Sequence, residues 1–266
     1  MIEPLIIKTK KQLFSTQAGI FSSPSGGEGF DFLEMREYAF GEDARRIDWI
    51  VSAKAGKPYV RLYQEERSRT LTLVPLLCDT LHFGSRRLKV ETLLEALLLI
   101  AMSGVMHREQ VVSYHERVRQ LIDIYSVERF AKELAGIDLL GRAYAFDDKK
   151  LFYALREPSL VVLLGDFLDP VDVGLLAQKH EVVAVVVRER LEEGEDLAIA
   201  CEAVDTSTLS KKPIYLSQST LRRYGEKLSQ LRMHNYRQFA KLGVDWVEIF
   251  DDEDVFMKLQ HFFMGR

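Results

Sequence analysis

A chain of 266 residues with 47% apolar side chains is long enough for one large domain, or a domain with a smaller element, and can build a full core. With 36 Lys and Arg against 40 Asp and Glu, the formal net charge of −4 argues against a general nucleic-acid binder, whose affinity rests on a clustered positive field. Two cysteines, Cys78 and Cys201, lie far apart without a second pair, which suggests neither a disulfide framework nor a zinc site and fits a reducing cytoplasm.

The first residues, with Glu3 and Pro4 early, do not read as a secretory signal. The basic run Lys8 to Lys11 reads as a solvated face. Gly26-Gly27-Glu28-Gly29 reads as a turn, since no strand leads into it and no Gly-Lys-Ser follows. From Arg36 to Trp49 the chain packs acids and arginines around large aromatics. Arg36, Arg45 and Arg61 offer forks that pair bidentately with carboxylates such as Asp43 and Asp48, Tyr38 and Trp49 offer flat faces for stacking, and Gly41 supplies a turn. Such a cluster either bolts an N-terminal arm, residues 1–68, to the following domain, residues 69–266, or forms a docking surface. It holds no histidine or cysteine and no nucleophile paired with a base.

From residue 69 onward short apolar runs alternate with helical periods, as in a parallel sheet covered by helices. Leu71 to Cys78 is a buried central strand ending at Asp79. Ser85 to Met106 follows as a helix that is apolar around most of its circumference, with Arg86, Arg87, Lys89 and Glu91 near one wet end. Its apolar stretch from Leu93 is interrupted by Glu95 and falls short of the roughly 20 residues that cross a bilayer. Gln110 to Tyr114 and Gln120 to Tyr125 form a hairpin or two strands, with helices over Val127 to Leu134 and Lys149 to Arg156. Leu160 to Leu164 and Val182 to Val187 are interior strands. Ala198 to Val204 and Pro213 to Leu216 form a hairpin. A helix then carries Leu221, Tyr224, Leu228, Leu231 and Phe239 on one stripe, with Ser217 or Ser219 as its N-cap and Gly243 past its end. Val244 to Phe250 is the last strand, and Asp252 caps a final helix. This order is that of a doubly wound α/β sheet.

Residues 26 to 66, through Arg36-Glu37-Tyr38, Gly41-Glu42-Asp43-Ala44-Arg45-Arg46-Ile47-Asp48-Trp49 and Ser52-Ala53-Lys54, resemble the bacterial family of domain of unknown function 58. Glu42 stands where that family has Asp, and Lys54 where it has Arg. The resemblance implies a von Willebrand factor A-like domain after the arm. It also implies a role as adaptor or assembly partner of a MoxR-type AAA+ ATPase.

In von Willebrand A domains the first strand ends in Asp-x-Ser-x-Ser, which helps hold magnesium. Here the run is Asp79-Thr80-Leu81-His82-Phe83, with Leu81 and Phe83 at the serine positions, while Asp166 matches the distal aspartate. Magnesium wants octahedral oxygen coordination that leucine and phenylalanine cannot supply. A degenerate metal site of Asp79, Thr80 and Asp166 is therefore expected, with no cofactor, and the two aspartates capping helix N-termini. His82 and Phe83 are the interface candidates at these strand ends. The expectation is a non-enzymatic, cytoplasmic interaction protein. The alternative is a magnesium-dependent phosphohydrolase using Asp79 and Asp166.

Overall fold

In a computed structural model of the protein, the structure describes residues 2–16, 32–39, 47–63, 70–193, 199–204 and 211–266. They belong to two compact units, one of Met1–Ser22 with Arg69–Arg266 and one of Ser23–Ser68. The chain opens with helix α1 (Ile2–Thr16), which sends Ile6, Thr9 and Leu13 inward at spacings of three and four. Ile6 and Leu13 join the core of the larger unit. The segment expected as one arm, residues 1–68, is thus divided. The Lys8 to Lys11 run is not simply solvated either: Lys8 Nζ lies 2.6 Å from the buried Glu95 carboxylate, and Lys10 pairs with Glu128.

The smaller unit pairs strand β1 (Phe32–Glu37) antiparallel with β2 (Tyr59–Tyr63), placing Arg36 opposite Val60, with helix α2 (Trp49–Ala55) between them in sequence. Asp48 caps α2, accepting from the N–H groups of Ile50 at 2.9 Å and Val51 at 3.1 Å. Gly56, at φ 69°, closes the helix in the left-handed region that favours glycine. Asp48→Ala is expected to lower stability by about 0.5 to 2 kcal/mol through the lost cap, with Asp48→Asn retaining most of it. Thermal melts of the two variants check this.

In the larger unit the chain runs through β3 (Thr70–Pro75), α3 (Lys89–Met106), the hairpin β4 (Gln110–Tyr114) and β5 (Val118–Leu121), then α4 (Ile124–Ala135) and α5 (Asp148–Ala154). There follow β6 (Ser159–Gly165), β7 (Glu181–Arg188), the hairpin β8 (Ile199–Val204) and β9 (Lys211–Leu216), α6 (Gln218–Leu242), β10 (Asp245–Phe250) and α7 (Val255–Met264). The six-stranded sheet has the order β10-β7-β6-β3-β4-β5, parallel throughout except for β5. This is the doubly wound α/β class expected from the alternation of runs. Alternate residues of each strand face opposite layers. Val162 and Leu164 of β6 join α1, α3, α4 and α7 on one side, while Val161 and Leu163 join α5 and the end of α6 on the other.

Several boundaries shift for local reasons. Helix α3 starts at Lys89 rather than Ser85, because the chain turns so tightly at Gly84 that a Cβ there would meet the Arg87 carbonyl oxygen at 2.0 Å. Strand β5 ends at Leu121, since Asp123 caps α4 through the Ser126 N–H at 2.7 Å. The cap of α7 is Asp254, accepting from Met257 N–H at 3.0 Å, while Asp252 pairs with Arg190 at 2.9 Å. Ser217 caps α6 and Gly243 ends it, as expected. Among the described residues no helix is long and apolar enough to cross a membrane.

Candidate functional site

The strand order reverses between β3 and β6, the switch point at whose carboxyl ends open α/β sheets form their crevice. The two strands run tightly together here: a Cβ on Gly165 would meet that of Leu76 at 3.1 Å. Asp79 opens a 3-10 turn over Asp79–His82 after β3, and Asp166 follows β6 directly. Both aspartates are at the strand ends where the sequence placed them.

What meets Asp166 there is a cation from the chain itself. Lys89, first residue of α3, places Nζ 2.8 Å from Asp166 Oδ2 and 2.7 Å from Glu192 Oε1. Glu192 lies in the turn after β7, and its other oxygen accepts from the Arg232 guanidinium, presented by the middle of α6. Arg232 Nε also donates to the Asp166 carbonyl at 3.3 Å. Thr80 Oγ1 donates to Asp166 Oδ2 at 2.6 Å. Lys89, Asp166, Glu192 and Arg232 are each no more than 3% exposed, and their two positive and two negative charges balance.

Burial alone would lower the Lys89 ammonium, but the Asp166 and Glu192 carboxylates overcome it and hold its pKa above the ordinary lysine value. Burial likewise pushes Asp166 upward, and Lys89, Thr80 and Arg232 together pull it below the usual carboxylate range. Both groups stay charged. The neighbouring Cys78 thiol, 3.0 Å from Thr80 Oγ1, is pushed up to about 12 by burial and by the Asp166 charge. It is therefore a protonated, inert thiol.

The loop after β6 is pinned from α6. Phe167 sits at φ 51°, a backbone region that a bulky residue occupies only under constraint. Asn235 supplies that constraint, donating through Nδ2 to the carbonyls of Phe167 at 2.9 Å and Asp169 at 2.8 Å and accepting from Val171 N–H at 2.9 Å. Asp166 thereby caps no helix; it anchors an ion-pair network.

These residues do not fit magnesium, which takes six oxygens at about 2.0 to 2.1 Å. Leu81 is fully buried in the hydrophobic core, and the half-buried Phe83 ring has its centroid 5.9 Å from Lys89 Nζ. A divalent ion added to a network that already balances would leave buried positive charge unpaired. Among the described residues no group of three or more His, Cys, Asp or Glu is arranged to hold a metal.

A family profile described as "Protein of unknown function DUF58" matches residues 34–224 of this chain. The chain belongs to the DUF58 family. It is similar to uncharacterised proteins of Mycobacterium bovis and Mycobacterium tuberculosis, each 29% identical over 187 residues, covering 60% of this chain and 56% of the relative. The DUF58 chain thus spans about half the length of the curated relatives it matches. Among solved structures it is similar to the conserved hypothetical protein BatB of Bacteroides thetaiotaomicron, with a TM-score of 0.39 at 9% identity over 73% of this chain and 96% of that one. It is also similar to an aerotolerance-related membrane protein of Bacteroides fragilis, with a TM-score of 0.37 at 8% identity over 73% and 95%.

Of the DUF58 motif residues, Gly41, Asp43 and Arg45 lie outside the described residues, as does the Arg61 side chain. Arg36 and Tyr38 are half-buried, the Tyr38 N–H donating to the Pro58 carbonyl at 2.8 Å. Asp48 is buried, whereas Trp49 and its neighbour Ile50 are 69% and 70% exposed. His82 is exposed. The residues that complete the buried network, Lys89, Glu192 and Arg232, were not anticipated, and Lys89 stood in the wet end of its helix. One signal was available. Arg232 and Asn235 continue the inward series Leu221, Gly225, Leu228 at the spacing that leads to Phe239, whereas Tyr224 and Leu231 of the expected stripe are 43% exposed.

Proposed function

We propose that this DUF58 protein is a non-enzymatic interaction module of the cytoplasm, an adaptor or assembly partner of a MoxR-type AAA+ ATPase with a degenerate metal site. The observation that carries the reading is the Lys89 ammonium between Asp166 and Glu192: it fills the crevice in which an α/β enzyme would hold its reacting group. The phosphohydrolase alternative needs Asp166 free to attack or to ligate. Here that carboxylate is taken by Lys89 and Thr80. The ATPase as partner rests on the family resemblance of the motif around Arg36 to Trp49.

The docking face on this reading is the rim above the network, where His82 and Asp169 are exposed. Burial, then the charges of Asp166 and Asp79, raise the Asp169 carboxyl above its ordinary pKa. Phe83 is a poor single probe, because its ring covers Lys89 and its loss would change stability and contact together. Asp169→Lys and His82→Glu are the cleaner variants. Each is expected to weaken binding to a MoxR-type ATPase of the same organism by about 1 to 3 kcal/mol, roughly 5- to 150-fold in Kd, with Tm unchanged. The exposed pair Trp49 and Ile50 gives the motif the same test. Full affinity in all of these variants would overturn the docking reading, and magnesium-dependent phosphatase turnover abolished by Asp166→Asn would establish the alternative.

A further inference from the structure

The crevice contains every element of a cation site, and its occupant is covalently attached. We propose that the switch-point crevice is a cation-binding site whose cation is supplied in cis, the Lys89 ε-ammonium holding the position that an exchangeable ion would otherwise take. This inference goes beyond the docking reading and stands whether or not an ATPase binds.

Three observations carry it. The acceptors come from two different strand ends, with Asp166 Oδ2 at 2.8 Å and Glu192 Oε1 at 2.7 Å converging on one point. These are ordinary N–H···O hydrogen-bond lengths for an ammonium. An ammonium has three donors; two are spent on the carboxylates, and the Phe83 ring face lies within cation–π range. Finally, charge is neutral as built, because Arg232 answers the second carboxylate oxygen of Glu192. The site therefore calls for a monovalent cation with hydrogen-bonding protons, the chemistry of a primary alkylammonium. A divalent ion does not fit its charge: Asp166 and Glu192 less Arg232 leave one negative charge for the occupant.

Lys89→Ala keeps the Cβ and vacates the volume of three carbons and an ammonium, the shape of propylammonium. The variant is expected to melt lower than the natural protein. At pH 7.5, propylammonium chloride is expected to raise its Tm saturably by about 2 to 4 °C, as a ligand that binds only the folded state must. Tetramethylammonium, which has no donor protons, and magnesium should leave it unchanged. Lys89→Met, whose thioether fills the stem channel, should not respond to propylammonium, and neither should the natural protein. If Lys89→Ala does not accumulate folded, the yield on refolding with and without propylammonium reads the same binding. The proposal fails if propylammonium neither raises Tm nor increases refolding, if magnesium rescues where the amine does not, or if Lys89→Met is as stable as the natural chain.

Discussion

Asp166→Ala is expected to destabilise the sheet-bearing unit by about 3 to 5 kcal/mol, a fall in Tm on the order of 10 °C. The loss comes from what remains behind. Lys89, 1% exposed, would keep Glu192 as its sole close carboxylate among the described residues, Arg232 shares that same Glu192, and the Thr80 hydroxyl loses its carboxylate acceptor. Two buried cations on one carboxylate leave charge without compensation. Adding Lys89→Met to Asp166→Ala removes the stranded ammonium and is expected to recover a substantial part of the loss, since deleting both members of a buried pair is milder than deleting one. A double mutant no more stable than Asp166→Ala would show that the two groups are not coupled. The pH dependence has a definite sign. The folded Asp166 carboxyl titrates below its unfolded value, so its contribution is fully present above the ordinary carboxylate range and is lost as pH falls through the folded value. Lys89, raised above its ordinary value by Asp166 and Glu192, contributes fully below that ordinary value for as long as these carboxylates stay ionised, and loses that contribution as pH rises through its folded value.

The second large effect concerns the positions at which the metal-binding pattern has serine. Leu81→Ser with Phe83→Ser is expected to cost about 2 to 5 kcal/mol at Leu81 alone, because this side chain is fully buried in the cluster that includes Leu77, Leu93 and Leu97. The serine would also bury a hydroxyl in apolar surroundings. Restoring the pattern should therefore yield a weaker fold and no magnesium site, since the Lys89 ammonium still occupies Asp166. Urea unfolding with and without millimolar magnesium checks both parts: a lower midpoint is expected, and it should not move when magnesium is added.

The legibility of this chain follows from which forces act locally. β6 and β7 could be read because strands buried on both faces must be continuously apolar, and the ends of α6 because Ser217 and Gly243 act on the helix's own unpaired backbone groups. Asp79 and Asp166 could be placed because each ends an apolar run. The network between them could not. Its members stand at 89, 166, 192 and 232, each a charged residue that alone reads as surface, and only the fold brings their opposite charges to within hydrogen-bonding distance. Lys89 was the hardest to foresee, since a lysine in the first turn of a helix ordinarily extends into water. Glu95 belongs to the same kind: it interrupts the apolar stretch of α3 as the sequence shows, but its partners, Arg87 at 2.5 Å and Lys8 from α1, are brought to it in the interior only by the fold.

The most direct test of an internally supplied cation is to titrate magnesium and manganese into the intact natural protein, following heat by calorimetry and stability by thermal melting. With the Lys89 ammonium in place between Asp166 and Glu192, millimolar concentrations of either ion are expected to give no saturable heat and no change in Tm. A saturable site that raises Tm and disappears in Asp79→Ala would contradict it, and would return the crevice to divalent metal.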